Sequence, residues 1–182
     1  MRTVSTALFH SVDGVVESPH LFQLDAFDDD LGAAMDATIA EIDTVLLGRV
    51  TYEEWASYWP DNDTDDFGAF INPVEKLVAS RTLTGDLAWK NSRLVDGDLI
   101  EAVTALKSTE GRNISVCGSI SVVRQLLFAG LLDSLTLMTH PVVAGSGRHL
   151  FEAGDPLTQL ALVDVYRTSA GNVVSTYARR EP

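Results

Sequence analysis

Strand-like and helix-like segments alternate along this chain, and that order most restricts its possible folds. The β-branched stretch TVSTALF (3–9) and the apolar run EIDTVLLG (41–48) are typical of strands. Between them, apolar residues recur at helical spacing behind a run of acids that suits a helix N-terminus: Leu31, Met35, Ile39 and Ile42 after Asp28, Asp29 and Asp30. The beginning of the chain therefore predicts a strand, a helix and a second strand.

The alternation continues to the C-terminal region. Further helices are predicted over 51–58, 98–108 and 119–130, and further strands over 75–80, 113–117 and 134–140. Two last strands, 160–168 and 172–180, flank the hairpin signal Ser169-Ala170-Gly171. Such an order predicts an α/β three-layer sandwich, a mixed but mostly parallel sheet with helices on both faces and a C-terminal antiparallel hairpin. We expect one domain over residues 1–182.

The charge of the chain limits the kind of partner that it can bind. It carries 26 acidic and 13 basic residues, a net charge of −13. Nucleic acid and anionic membranes both require a surplus of Lys and Arg over a face, so neither is expected as a partner. Cys117 is the single cysteine and the four histidines lack metal-binding spacing, so no disulfide or metal site is predicted. Polar residues interrupt the apolar N-terminus, unlike a signal peptide, and we expect a cytoplasmic protein.

Three strand-to-helix joints carry residue types that suit phosphate. They are Gly48-Arg49-Val50-Thr51, Ala79-Ser80-Arg81-Thr82 and Cys117-Gly118-Ser119. In sheets of this kind ligands bind beyond the carboxyl ends of the strands, where N–H groups, short hydroxyls and guanidinium groups can meet an anion. Each joint taken alone is equally typical of an ordinary turn or cap. Two arginines at one sheet edge of an acidic chain favour a cofactor with several phosphates.

Arg49 is the least expected of these residues. A helix N-terminus carries a partial positive charge, so a cation in the first turn is unfavourable unless an anion lies between them. We therefore predict that a cofactor phosphate lies between the Arg49 guanidinium and the N–H groups of the helix that begins near Thr51.

Four segments, taken in order, resemble one family. They are SVDGVVES (11–18), LLGRVTYEEWASYWP (46–60), SISVVRQLLFAGLLDSLTL (119–137) and HPVVAGSGRHLF (140–151). Together they are similar to the dihydrofolate reductase-like family, in the branch related to the reductase domain of bacterial riboflavin biosynthesis. The resemblance implies an NADPH-binding fold that commonly forms a homodimer and acts on a small-molecule substrate.

The resemblance also implies which residues bind the cofactor. The G-R-x-T segment would lie along the phosphates, the residues after the next strand would face the adenosine ribose and its 2′-phosphate, and the glycine-led turn would receive the pyrophosphate. In this sequence these are, respectively, Gly48, Arg49 and Thr51; Ser80 and Arg81; and Gly118, Ser119 and Ile120. Two positions depart from the family pattern, because many members have paired glycines at Gly118-Ser119 and the riboflavin reductases carry an acid at Cys117.

Catalytic residues are less defined, because hydride transfer requires mainly positioning and exclusion of water. Asp13 in SVDG is the best candidate for relaying a proton or orienting a substrate, with a turn-forming Asp-Gly as the alternative. Tyr52, Trp55 and Trp59 would either wall a flat substrate or pack in the core. The expected function is an NADPH-dependent reductase of a small heterocyclic or conjugated substrate. The alternative is a non-catalytic member of the fold that binds a nucleotide or another small ligand.

Overall fold

The computed structural model of the chain describes residues 1–180, in which eight strands form one sheet and five α-helices cover it. The strands are β1 (Val4–Ser11), β2 (Ile42–Gly48), β3 (Glu75–Ala79), β4 (Ser92–Leu94), β5 (Asn113–Val116), β6 (Ser134–His140), β7 (Leu160–Arg167) and β8 (Val173–Arg179). The helices are α1 (Asp29–Ile39), α2 (Arg49–Ala56), α3 (Asp66–Ile71), α4 (Leu99–Lys107) and α5 (Ile120–Phe128). Within residues 1–180, no helix has the length and apolar character needed to cross a membrane.

The sheet has the order β4-β3-β2-β5-β1-β6-β8-β7. The strands from β4 to β6 in this order are parallel, and β8 runs antiparallel to both β6 and β7. Alternate residues of β2 enter opposite cores: Leu46 packs with α4 and α5, whereas Val45 and Leu47 pack with α2 and α3. Helices therefore cover both faces, and the predicted mixed, mostly parallel sandwich with a C-terminal hairpin is confirmed.

The first helix begins as predicted but ends earlier. The Asp28 carboxylate accepts a hydrogen bond from the Leu31 N–H at 3.0 Å and so caps α1. The apolar helical spacing continued to Ile42, but α1 ends at Ile39, and Ile42 is the first residue of β2, inside the strand predicted over 41–48. Ile42 is buried with Val45 and Leu47 in the core that α2 and α3 cover, so an apolar residue is needed there although its backbone is extended.

One helix was not predicted at all. No element was predicted between the helix over 51–58 and the strand over 75–80, yet Asp65 caps α3 by accepting from the Gly68 N–H at 2.6 Å. The helix is short and contains a glycine, and both properties weaken a helix prediction. Gly68 is needed there, because a Cβ atom would lie 2.3 Å from the carbonyl oxygen of Asn62. The three-residue strand β4 was missed for the same reason, its length.

Lys76 in β3 is completely buried and holds the end of α3. Its ammonium group donates to the carbonyl oxygens of Ile71, Asn72 and Val74 at 2.8–3.0 Å and lies 4.6 Å from the centre of the Trp89 ring. Burial lowers the pKa of Lys76 to about 8. These bonds satisfy the free carbonyl groups at the C-terminus of α3, which positions the part of the chain between α2 and β3.

Candidate cofactor-binding site

The carboxyl ends of β2 and β5 meet at one point of the sheet edge. The Gly48 N–H donates to the Gly118 carbonyl at 3.0 Å, and the hydroxyl oxygens of Thr51 and Ser119 lie 3.2 Å apart. Four of the predicted phosphate-binding residues, which come from two distant parts of the sequence, are therefore in direct contact. The parallel pairing of β2 with β5 explains this contact, because it brings both strand ends to the same edge.

Glycine is required at both contact points. A Cβ atom on Gly48 would lie 2.3 Å from the hydroxyl oxygen of Ser119 and 2.8 Å from its Cβ. Gly118 has a φ of +117°, and a Cβ there would lie 2.8 Å from the Thr51 hydroxyl oxygen. Both glycines are buried, and their missing side chains let Ser119 and Thr51 pack directly against the backbone, so the two helix N-termini come close together.

The two helices that begin at this joint differ from the other three in how they start. The helices α1, α3 and α4 each have an aspartate cap that accepts hydrogen bonds from first-turn N–H groups, and each has an acid in its first turn; the caps are Asp28, Asp65 and Asp98. Neither α2 nor α5 has a side-chain cap or a first-turn acid. Gly48 has no side chain to cap α2, and the Ser119 hydroxyl faces Thr51 instead of capping α5. Two uncapped, partly positive N-termini side by side suit an anion.

Ile120 is the first residue of α5 and its side chain packs against the core. What it offers to a ligand at the joint is therefore its backbone N–H.

Ser80 and Arg81 lie at the same sheet edge, one strand away. They directly follow β3, whose last residue, Ala79, pairs with Gly48. The Ser80 hydroxyl accepts hydrogen bonds from the N–H groups of Thr82 and Leu83 at 3.1 and 2.9 Å, so it stabilises this turn. Arg81 is exposed, and within residues 1–180 it forms no ion pair.

Arg49 has a partner that the sequence analysis did not assign. Its guanidinium donates to the Glu53 carboxylate, one turn along α2, at 2.6 Å. Both side chains are partly exposed, at 42% for Arg49 and 46% for Glu53. The i, i+4 spacing was visible in the sequence and predicts this pair. The pair gives Arg49 an explanation that needs no phosphate, and the two explanations require an experiment to separate them.

Asp13 connects the end of β1 to the loop that follows β6. One of its oxygens accepts from the Ser11 hydroxyl at 2.7 Å and the Ala144 N–H at 2.8 Å, and the other from the Gly145 N–H at 2.8 Å. These bonds, that of Ser11 foremost, hold the pKa of the Asp13 carboxyl well below its ordinary value. Asp13 is therefore ionised at neutral pH and has no proton to donate.

The aromatic candidates of α2 and the segment after it belong to a core. Tyr52 is 6% exposed, and its hydroxyl accepts from the Trp89 N–H at 3.2 Å. Trp55 and Trp59 pack against Phe67 at ring-centre distances of 5.5 and 5.0 Å. The packing alternative thus describes these rings, which form an aromatic cluster between α2 and α3.

Two titratable groups near the edge were given no catalytic role by the sequence analysis. His10, the penultimate residue of β1, is half-buried, and its pKa is lowered mainly by burial, with the negative charge of Asp13 acting in the opposite direction. Cys117 precedes Gly118, and burial raises the pKa of its thiol to about 11, so this thiol is neutral. In the part of the chain described, no three His, Cys, Asp or Glu side chains are grouped so that they could hold a metal ion.

Comparison with known proteins connects this geometry to a family. The uncharacterized protein YyaP of Bacillus subtilis (strain 168) is 28% identical over 182 residues, which cover 97% of this chain and 94% of that protein. A pyrimidine reductase-like protein from Corynebacterium diphtheriae has a similar structure, with a TM-score of 0.71, 15% identity, and coverage of 100% of this chain and 93% of that one.

A third similar protein is a diaminohydroxyphosphoribosylaminopyrimidine deaminase/5-amino-6-(5-phosphoribosylamino)uracil reductase from Thermotoga maritima. Its structure aligns with a TM-score of 0.67 and 12% identity, over 98% of this chain and 57% of the longer protein. The model of the RibD C-terminal domain matches residues 2–174. With almost the whole chain matched, this protein belongs to the RibD C-terminal domain family.

Proposed function

We propose that the protein is an NADPH-dependent reductase that transfers a hydride to a small heterocyclic or conjugated substrate. Membership of the RibD C-terminal domain family and the reductase names of similar structures support this proposal. The observation that carries it is the pair of uncapped helix N-termini at Gly48 and Ser119, free of first-turn acids in a chain with 26 acidic residues.

The residues at this joint fit a dinucleotide pyrophosphate. Gly48 and Gly118 let the uncapped starts of α2 and α5 approach each other, Thr51 and Ser119 carry hydroxyl groups there, and Ile120, the first residue of α5, offers its backbone N–H. Each phosphate oxygen can accept from such donors, and the partial positive charges of both helices favour the anion. Arg49 would add a charge-assisted hydrogen bond by turning from Glu53 towards the phosphate.

Preference for NADPH over NADH would come from the joint after β3. Arg81 is exposed there without an ion pair in residues 1–180, and a guanidinium is well suited to a 2′-phosphate. Ser80 keeps the turn in shape through its bonds to Thr82 and Leu83.

Bound NADPH supplies the hydride, and the protein has to orient the reactants and exclude water. Asp13 contributes by holding the end of β1 against Ala144 and Gly145, where its fixed negative charge can orient a substrate donor. The proton that accompanies reduction comes from a donor other than Asp13.

The alternative function is a non-catalytic member of the fold that binds a nucleotide or another small ligand. The ionised state of Asp13 favours it, because the best candidate for proton transfer has no proton at neutral pH. Cys117 stands where the riboflavin reductases carry an acid, so we do not extend the proposal to their substrate.

The deciding experiment measures NADPH and NADH binding by calorimetry and thermal unfolding. NADPH at about 100 times its dissociation constant should stabilise the fold by about 2.7 kcal/mol. Arg81→Ala should weaken NADPH binding by about 10- to 150-fold, the loss of one charge-assisted contact, with little effect on NADH.

Arg93→Ala is the matched control. Arg93 is also an exposed arginine, but it pairs with Glu75 at the amino end of β3, away from the carboxyl end that Arg81 follows. Equal affinity of the wild type for both cofactors would contradict the proposed selectivity. Binding without oxidation of NADPH in the presence of any of a panel of pteridines, pyrimidines and conjugated carbonyl compounds would favour the non-catalytic alternative.

A further inference from the structure

The turn of the C-terminal hairpin, residues 168–172, is hydrogen-bonded to the segment 22–28 before α1 and to Asp30 in the first turn of that helix. The Asp28 carboxylate accepts from the Ala170 N–H at 2.7 Å, and the Asp30 carboxylate accepts from the N–H and hydroxyl of Ser169 at 2.7 and 2.6 Å. Because β8 is antiparallel to β6, this turn lies at the sheet edge where β1 and β6 end. The hairpin turn and the segment before α1 thus form one connected unit at the candidate ligand edge.

Asn172 is the buried centre of this unit. Its amide nitrogen donates to the Ala26 carbonyl at 2.7 Å and to the Thr168 hydroxyl at 2.9 Å. Its amide oxygen lies 2.6 Å from Nδ1 of His140. Since a carbonyl must accept, the nitrogen of Asn172 faces Ala26 and its oxygen faces His140, so Nδ1 of His140 carries the hydrogen.

His140 is the last residue of β6 and is completely buried. Its ring lies between Phe9 of β1 and Phe22 of the segment, with ring centres 5.6 and 6.0 Å away. Its Nε2 faces the amide nitrogen of Gln23 at 3.5 Å. With the hydrogen on Nδ1, Nε2 can accept from that amide. A second proton would remove this acceptor and place a charge between aromatic rings.

The ionisable group that acts on His140 from the segment is Asp28, and the neighbours from β1 and the hairpin, Phe9 and Asn172, are uncharged. Burial lowers the pKa of His140, and this effect exceeds the opposing effects of the Asn172 bond and the Asp28 charge. Asp28 cannot turn towards a protonated ring without giving up its bonds to Leu31 and Ala170.

We propose that His140 is a pH-dependent latch that joins the hairpin turn to the segment 22–28 in its neutral form and releases both when it is protonated. The sign follows from linkage: a histidine whose pKa is lower in the latched state favours that state above about pH 6.5, and the preference is lost as pH falls below this value. At about pH 5.5 the opening equilibrium should increase by up to about tenfold. Release would free the segment 22–28, which lies between β1 and α1, from the hairpin turn. Under acidic conditions this would expose the sheet edge where the ligand is expected to bind.

The test is amide hydrogen exchange of the full chain at about pH 7.5 and about pH 5.5, corrected for intrinsic exchange rates. In the wild type we expect residues 22–28 and 168–172 to lose up to about tenfold in protection at the lower pH, relative to α5. His140→Asn keeps a donor near the position of Nδ1 without titrating, so its protection should not depend on pH in this range. His20→Asn is the matched control, because His20 is exposed and should leave the wild-type response unchanged.

Protection that stays constant with pH in the wild type, or falls equally in His140→Asn, would overturn the latch. If His140→Asn does not fold, NMR titration of the wild type gives the same decision. If the latch exists, the NMR signals of the His140 ring titrate with a midpoint below about pH 6.5, and the amide signals of residues 22–28 change with the same midpoint. A higher ring midpoint, or separate midpoints, would reject it.

Discussion

Replacement of Arg49 by alanine separates the two explanations for a cation at the start of α2. In the protein without ligand, the substitution removes an exposed i, i+4 ion pair with Glu53, 2.6 Å long, worth about 0.3–0.5 kcal/mol. It also removes an unfavourable first-turn cation, worth about 0.3–1 kcal/mol. The two effects oppose each other, so the free energy of unfolding should change from about 0.2 kcal/mol lower to about 0.7 kcal/mol higher.

Affinity for NADPH should respond much more strongly than stability. If a phosphate lies between Arg49 and the N-terminus of α2, the alanine variant loses a charge-assisted hydrogen bond to an anion, and affinity falls by about tenfold or more. Urea unfolding gives the first quantity and calorimetric titration of the same preparation gives the second.

Glu53→Gln is the matched control for the pair. It removes the competing charge and leaves Arg49 in place, so NADPH affinity should stay equal or rise. If Arg49 serves only as the partner of Glu53, NADPH affinity should be unchanged in both variants. That result would refute the phosphate interpretation and remove Arg49 from the cofactor-binding residues.

Three other predictions test the joint, the hairpin and the loop after β6. Gly48→Ala should destabilise the protein by about 1–3 kcal/mol in urea unfolding, because its Cβ clashes with Ser119. Adding Ser119→Gly to the same chain should restore most of this stability. A Gly48→Ala variant as stable as the wild type would contradict this packing. We further propose a homodimer assembled through the C-terminal hairpin, because β7 exposes apolar side chains such as Leu162 and Val165, which are 56% and 52% exposed. Light scattering should give a dimeric mass for the wild type and a monomeric mass for Val165→Lys. A monomeric wild type would refute the dimer. Asp13→Asn should lower the free energy of unfolding at neutral pH and make that free energy fall less steeply in acid. A carboxyl whose pKa is lowered by folding stabilises the protein above about pH 4 and loses that effect as pH falls further. If the free energies of unfolding of the two proteins coincide at every pH, the bonds of Asp13 contribute nothing to stability.

The topology was predictable because the apolar periodicity of each strand and helix is a local property. The acids before Leu31 predicted the start of α1, and Asp28 caps it as expected. Ile42 was counted both in the helical spacing and in the strand over 41–48, because one apolar residue satisfies both patterns at a boundary. Local spacing cannot decide which core a boundary residue enters, so element ends were less predictable than element types.

The candidate site was predictable only where topology determines proximity. Parallel strands end at one edge, so a shared edge for Gly48 and Gly118 was predictable, whereas their direct contact depends on the pairing of β2 with β5. The bonds of Asp13 to the loop after β6, and of His140 to Asn172, join residues far apart in sequence. No periodicity marks such pairs, because each depends on the path of an irregular loop that only the folded chain defines.

The position of β1 has a consequence for the order in which the chain can fold during synthesis. This strand leaves the ribosome before both of its neighbours, yet it lies inside the sheet, where Ser5 pairs with Ser115 of β5 and Ser134 of β6. Both β5 and β6 are synthesised more than 100 residues after β1. Until then, the N–H and C=O groups on both edges of β1 have no partner strand. Contacts so distant in sequence form slowly, and open strand edges invite pairing with other chains. Nascent chains that stop before β6 should therefore depend on chaperones for solubility, whereas those that include the hairpin should not.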